Sequence, residues 1–395
     1  MKNKGLNNFD KGLIFAIILT PFTLLRVGYI GLGEISLLLL FLAGLQTGYI
    51  SKLSKDLIFS RFWIIFLIIS FCGFAYNVIF LNQNTGTFES SLFDFAAYVL
   101  IFISCLVVEN LYLKNQLNFH QIIRKVFFFS GLIFSGLYGM SLFTDSVAGL
   151  PLKYFEYFAP FVNNLHQTAM FIAPMPFIGL FVLEREKKKI NRLIIIALIL
   201  ILSFLTLETG SFKAMAGLGL GWLLYFMIKF INRFRGNLKK ALIAIALAMT
   251  VLVIVVNINA IYDILWGIFS AEDLAEGRSN LYKNAIEVGF TSPIIGLGPG
   301  AHIFQEGQYW DSHQTFLTVL IQSGLIGLAL LISLFYKMSK NILKVPSLLA
   351  GFIPILIYAM GGDVMRRLPI WLLLLLIHYY IISQVNDKIE NEKFE

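Results

Sequence analysis

The sequence predicts an all-α polytopic membrane protein, with about twelve transmembrane helices forming one integral membrane domain, residues 1–395. Three observations carry that expectation. Apolar residues make up 58% of the chain and charged ones 14%, where soluble domains run at roughly a half and a quarter. Nearly every stretch falls in an apolar run close to the ~20 residues that cross a bilayer as a helix. Lys and Arg concentrate in alternate connections between those runs, the pattern of cytoplasmic loops. Phenylalanine, at 38 residues, suits helices that face lipid.

The runs of the first half cover 12–30, 34–50, 60–81, 91–109, 122–146 and 161–183. Those of the second half cover 190–206, 212–231, 240–262, 314–337, 345–362 and 368–384. They must be helical, because hydrocarbon offers no partner for an unpaired amide or carbonyl. The first run is too long for a signal-peptide core and lacks a small-residue cleavage site, so it reads as an anchor. Cys72 and Cys105 fall inside apolar runs and read as buried packing residues, not as a disulfide framework.

With the N-terminus in the cytoplasm, 24 of the 31 basic residues lie in cytoplasmic segments, from Lys2, Lys4 and Lys11 through the clusters 185–192 and 229–240 to Lys388 and Lys393. Outside remain Arg26, Lys153, Lys213, Arg278, Lys283, Arg366 and Arg367. Both termini are therefore expected in the cytoplasm. The net charge of +8 is a topology signal spread over many loops. No basic patch with interleaved aromatics points to nucleic acid.

The polar chemistry collects outside. The longest non-spanning segment, 263–313, is one larger external loop between spans 9 and 10. It opens on Ser270–Glu276, whose serine and early acids suit a helix N-terminus, and continues as an amphipathic run through Phe290. Gly296-Leu297-Gly298-Pro299-Gly300 follows; without βαβ flanks it reads as a tight turn near the membrane surface, not a dinucleotide fingerprint. His302 and Trp310-Asp311-Ser312-His313-Gln314 lead into the tenth span. His313 sits where loop becomes helix, with Asp311 or Ser312 available as the cap. A helix N-terminus keeps an imidazole neutral and able to take a proton, while Asp311 acts in the opposite sense. An interfacial histidine satisfied by backbone groups is the competing reading.

The external cations Arg278, Lys213, Arg366, Arg367 and Arg26 form a second constellation. Arginine pairs bidentately with phosphate, and lysine offers a point charge. The alternative is snorkelling, or a pair with Asp363, one helical turn before Arg367.

In these residues the sequence resembles the O-antigen ligase and O-antigen polymerase family of bacterial envelope glycosyltransferases. That family carries His, then Asn, Ser or Gln, nine residues, Gly, two more and Gly; here His313-Gln314 is followed after nine residues by Gly324-Leu325-Ile326-Gly327. Gly277-Arg278, Ser292-Pro293 and Gly296-Leu297-Gly298 extend the likeness, and twelve spans with both ends cytoplasmic is the family layout. The resemblance implies metal-independent transfer of a glycan from undecaprenyl diphosphate to a sugar hydroxyl, with no cofactor, at the periplasmic face of the bacterial inner membrane.

On the same grounds His313 is implied as the base and Arg278 as a diphosphate contact, with Lys213, Arg366, Arg367 and Arg26 as further diphosphate-binding candidates. Lys213 stands in the turn Thr209–Lys213, where the family often has arginine. His166, Gln314 and Asp311 are candidates to line the substrate cavity; an interfacial packing role is the alternative for His166. Gly324 and Gly327 read as close-packing positions along the tenth span. The implied partners are an undecaprenyl-diphosphate-linked oligosaccharide, membrane lipid, and a chain-length regulator or flippase of the same pathway. Repeat-unit polymerase is favoured over ligase because a short external loop leaves little room for an acceptor-recognition module. A transporter is disfavoured, since the external charges gather at one face and no internal repeat is visible.

Overall fold

The computed structural model describes residues 5–50, 57–83, 85–234, 236, 275–305 and 307–392. The expected ninth span, 240–262, and the opening of the external loop, 263–274, lie outside the described residues. The rest is an all-α polytopic membrane protein. Its helices are α1 (Asn8–Leu19), α2 (Leu32–Gln46), α3 (Ile58–Tyr76), α4 (Phe88–Leu113), α5 (Phe119–Ser141), α6 (Leu165–Ile172) and α7 (Met175–Leu183). Then come α8 (Lys189–Glu208), α9 (Phe212–Ile231), α10 (Ala275–Thr291), α11 (Thr315–Ile342), α12 (Pro346–Gly361) and α13 (Leu368–Glu392). Among the described residues, seven segments are long and apolar enough to cross a bilayer, and three shorter apolar helices accompany them, Leu32–Gln46, Pro346–Gly361 and Leu368–Ser383. Short antiparallel hairpins interrupt the connections expected outside: β1 (Arg26–Val27) with β2 (Ile30–Gly31), β3 (Ser146–Val147) with β4 (Leu150–Pro151), β5 (Lys153–Tyr154) with β6 (Tyr157–Phe158), and β7 (Ile303–Gln305) with β8 (Gln308–Trp310).

Three apolar runs are not the continuous helices their composition suggests. The run 12–30 is helical only to Leu19, then turns and enters the β1–β2 hairpin. The run 161–183 is two helices, α6 and α7, parted at Ala173-Pro174; prolines at 174 and 176 supply no backbone N–H and favour a fresh helix start. Hydropathy reports burial, not backbone continuity. Nor are both cysteines buried: Cys105 is, while Cys72 is exposed on the outer surface of α3.

Helix starts are tied down from other helices. Asn7 and Asp10 form a reciprocal capping box at the head of α1. The second oxygen of the Asp10 carboxylate accepts the Asn118 N–H at 2.8 Å, fastening α1 to the start of α5. The buried Glu109 of α4 does the same for α3, accepting the N–H groups of Phe59 and Ser60 at 2.9 and 2.8 Å. The hydroxyls of Ser60 and Tyr379 also donate to it. These acceptors take up donors that the first turn of a helix leaves unpaired.

The tenth expected span, α11, is broken in a way that decides where the external loop goes. Gly324 lies inside it with φ 63° and ψ −164°, a conformation open in practice only to glycine. The break orphans the carbonyls of Ile321 and Gln322 and the N–H groups of Leu325 and Ile326, which would bond one another in an unbroken helix. The segment 293–298 satisfies all four. Leu297 and Gly298 donate to Ile321 and Gln322 at 2.8 and 3.1 Å, while Leu325 and Ile326 donate to the carbonyls of Pro293 and Ile294 at 2.7 and 3.3 Å. The glycine-rich run is thus no surface turn but a wedge let into a transmembrane helix. Irregular backbone is tolerated at that depth only when protein pairs it. A Cβ on Gly296 would stand 2.3 Å from the Ser323 nitrogen, and one on Gly324 would stand 2.4 Å from the Ile294 carbonyl.

Gly324→Ala should therefore destabilise the protein by about 2–4 kcal/mol, from backbone strain and overlap. It should lower the thermal unfolding midpoint in detergent, whereas Gly219→Ala on α9, with open space at its Cβ, should leave that midpoint unchanged.

Candidate functional site

One partly buried arginine organises one end of the bundle. The Arg366 guanidinium donates to Asp94 of α4 at 2.8 Å, to Asp363 at 3.1 Å, and to Asp311. Asp94 is almost wholly buried (1% exposed) and also accepts from Gln322 of α11 at 3.1 Å; Gln322 in turn accepts from Tyr98 at 2.5 Å. His302 closes the cluster through Nδ1, 3.0 Å from Asp311. Burial pushes the Asp311 carboxyl up, but the His302 hydrogen bond and the Arg366 charge outweigh it and hold Asp311 well below the usual carboxylate range. It stays ionised. The turn between α12 and α13 is pinned as well: Thr315 donates to the Gly362 carbonyl at 2.8 Å and accepts from the Val364 N–H at 3.1 Å. The cluster so joins α4, the lead into α11 and the α12–α13 turn.

Beside this cluster lies a cavity of about 590 Å³. Asp311, His313, Asp363, Arg366 and Arg367 form one side, and His166, Lys213 and Tyr358 another. His166 is presented at the start of α6, where Asn164 caps the helix by accepting the His166 N–H at 2.8 Å. Its Nδ1 is 3.1 Å from the Ser211 hydroxyl, which is 2.6 Å from the Tyr358 hydroxyl of α12. Lys213 is buried in the first turn of α9, directly after the Thr209–Ser211 turn. His313 carries φ 50°, a left-handed conformation uncommon for a residue with a side chain. It stands directly before Gln314, the residue that leads into α11.

Six of the residues expected from sequence to serve the site line this one cavity: His313, Asp311, Lys213, His166, Arg366 and Arg367. Arg26 lines a neighbouring pocket of about 360 Å³, which Arg366 and Arg367 also border. Two placements differ from expectation. Gln314 does not line the cavity; its side-chain carbonyl accepts the Leu317 N–H at 2.5 Å and caps α11, so neither Asp311 nor Ser312 is the cap. Asp311 is taken by Arg366 and His302 instead, and Ser312 bonds the Thr318 hydroxyl at 2.7 Å. Asp363 pairs with Arg366, not with Arg367. Arg278 stands in the first turn of α10, and its side chain lies outside the described atoms.

The two neighbouring arginines are thereby distinguished. Arg366 is saturated by three carboxylates. Arg367 has no ion pair among the described residues, and its buried Nε lacks a hydrogen-bond partner. Burial, then the adjacent Arg366 charge, act against its cationic form, so an anion arriving there meets an unpaired charge.

The cavity lies opposite the basic end of the bundle. From Lys213, α9 runs some 24 Å at 1.5 Å per residue to Lys229, which pairs with Glu184 at 2.8 Å, and Arg124 pairs with Glu186 at 2.9 Å on that side.

Residues 194–332 match the sequence profile of the O-antigen ligase family. The resemblance to the O-antigen ligase and polymerase family holds. The matched region contains Lys213, Arg278, Asp311 and His313, and also His302 and Gln322. A curated relative, the exopolysaccharide production protein ExoQ of Rhizobium meliloti (strain 1021), is 29% identical over 101 residues, covering 21% of this chain and 23% of the relative. The match thus spans about a quarter of that relative's length. His166, Arg26, Arg366 and Arg367 lie outside the family match and join the site through the fold alone.

Asp94, Gln322, Tyr98 and Tyr358 escaped the sequence reading. An acid and an amide inside apolar spans are the signal that could have found Asp94 and Gln322, since such groups face a partner within the bundle. Arg366→Ala leaves Asp94 and Asp363 buried without a counter-charge and should cost about 3–5 kcal/mol of stability. In a double-mutant thermal unfolding cycle, Asp94→Asn should recover part of that loss.

Proposed function

We propose that this protein is a membrane glycosyltransferase that moves a glycan from undecaprenyl diphosphate to a sugar hydroxyl at the periplasmic face of a bacterial inner membrane, acting as a polymerase of lipid-linked repeat units. The observation that carries the reading is the presence, in one cavity, of His313 with two cationic side chains, Arg367 and Lys213. A glycosyl diphosphate already has a good leaving group. The remaining tasks are to take a proton from the acceptor and to hold the charge that develops on the diphosphate.

His313 takes the proton of the acceptor hydroxyl. The hydroxyl oxygen bonds to the anomeric carbon as the bond from that carbon to the diphosphate oxygen breaks. The diphosphate leaves on its lipid with the electron pair, and Arg367 and Lys213 hold its charge. Arg278 is assigned to the same diphosphate on the family pattern. Arg366 holds Asp311, two residues before His313, and acts through that contact as a positioning residue. Two fixed cations supply the charge stabilisation, so the reading calls for no metal and no cofactor.

The orientation rests on the basic end of the bundle facing the cytoplasm, which turns the cavity outward. Polymerisation is preferred to ligation onto lipid A–core because the relative's name refers to exopolysaccharide production, and repeat-unit polymerisation fits that context. A chain-length regulator and a flippase of the same pathway are the partners this role would have.

Expressed at normal membrane levels in a deletion strain, His313→Ala should lower polysaccharide synthesis by about 10²–10⁴-fold, and Arg367→Ala by about 10²-fold or more. Full restoration by both variants would refute the assignment. On a polysaccharide gel the deletion itself should leave core bearing at most one repeat unit. Bare core with polymer retained on its lipid carrier would instead identify a ligase.

A further inference from the structure

The 360 Å³ pocket beside the main cavity shares Arg366 and Arg367 with it, but its remaining lining has no role in the transfer chemistry described above. It lies among the outer ends of α1 and α2, the β1–β2 hairpin, α4 and the start of α6. Its lining includes Thr23, Arg26, Tyr29, Glu34, Asn163 and Gln167, with Arg366 and Arg367 at its boundary. A smaller space, lined by Glu34, Gln167, Met170 and Arg367, lies between it and the main cavity; Met170 and Arg367 line the main cavity as well. Successive residues of α6 divide the two, with His166 lining the large cavity and Gln167 the second pocket.

Arg26, Arg366 and Arg367 line this pocket too, but the uncharged polar groups, a carboxylate and a ring beside them set it apart from a purely cationic anion site. Glu34 holds the hairpin by accepting the Gly31 N–H at 2.8 Å through Oε2, and its Oε1 makes no hydrogen bond among the described residues. The Gln167 carbonyl accepts the Thr23 hydroxyl at 2.6 Å, which leaves the amide N–H groups to donate. Asn163 is exposed at the rim, and Tyr29 at the hairpin tip presents its ring with 88% exposure. A carboxylate acceptor, amide donors, hydroxyls and a ring face match the alternating hydroxyls and C–H faces of a sugar. The Glu34 carboxylate disfavours a diphosphate.

We propose that this pocket is the acceptor-saccharide subsite, holding the sugar whose hydroxyl is delivered past Arg367 into the main cavity. The proposal rests on the transfer reaction argued above, and it holds whether the acceptor sugar belongs to a repeat unit or to lipid A–core. Glu34 and Gln167 grip the sugar's hydroxyls, and Tyr29 covers its face.

The test is direct binding to the full chain in lipid nanodiscs, using two probes. One is the free repeat-unit oligosaccharide released from the producing cell's own surface polysaccharide, without lipid or phosphate. The other is inorganic diphosphate. Glu34→Gln, which keeps an acceptor for the Gly31 N–H, and Gln167→Ala should each weaken oligosaccharide binding about tenfold and leave diphosphate binding within about twofold. Tyr29→Ala, at an exposed hairpin tip where folding is not at stake, should weaken the oligosaccharide about threefold or more. His313→Ala should still bind it. The proposal is overturned if the wild type does not bind the oligosaccharide, if all three pocket variants bind it normally, or if they lose diphosphate equally. Should the binding pattern appear in a protein that transfers no sugar, the saccharide site stands, while its acceptor role falls together with the proposed reaction.

Discussion

The charge on Arg366 is the constraint around which the outer end of the bundle is built. A guanidinium at that depth needs counter-charge, and it takes three carboxylates from three separate parts of the chain: Asp94 in α4, Asp311 before α11, and Asp363 after α12. Each of them is expensive to bury alone, so the four groups are stable only together. Geometry follows from that. Fixing Asp311 fixes the lead into α11, and with it the left-handed turn at His313; fixing Asp363 fixes the turn that carries Arg367. The cavity owes its shape to a cluster that itself lies at its edge.

The broken helix adds a second requirement of the same kind. A transmembrane segment interrupted at Gly324 strands four backbone groups, and the 293–298 stretch of the external loop pairs all four. The loop is thereby drawn into the bundle, and His302 follows on the same connection to meet Asp311. Satisfying backbone polarity inside the protein and positioning the site turn out to be one structural solution.

Much of this was legible in the sequence, at the level where hydropathy and charge speak. Apolar runs located the helices, and the distribution of Lys and Arg anticipated that Lys213, His313, Arg366 and Arg367 would share one end. What could not be read was what depends on pairing in space. Hydropathy is blind to the break at Pro174 and to the end of α1 at Leu19, because the turning residues there are themselves apolar or small. The glycine-rich run looked like a surface turn because nothing in its composition says which helix it enters. Asp363 is one turn from Arg367 in sequence, yet it pairs with Arg366, whose side chain also reaches Asp94, 272 residues away. A count of external cations treated the two arginines alike; the fold separates the one that holds the architecture from the one left facing the cavity.

The central claim is that one outward cavity joins a lipid-linked glycan to a sugar hydroxyl without further components. The most direct measurement supplies the purified protein, in nanodiscs and in the presence of a chelator, with undecaprenyl-diphosphate-linked repeat units alone, and follows the lipid products by mass spectrometry. The account predicts lipid-linked chains of two and more units, with one free undecaprenyl diphosphate released for each bond formed. Unchanged substrate, or product formed without release of the lipid diphosphate, would contradict it.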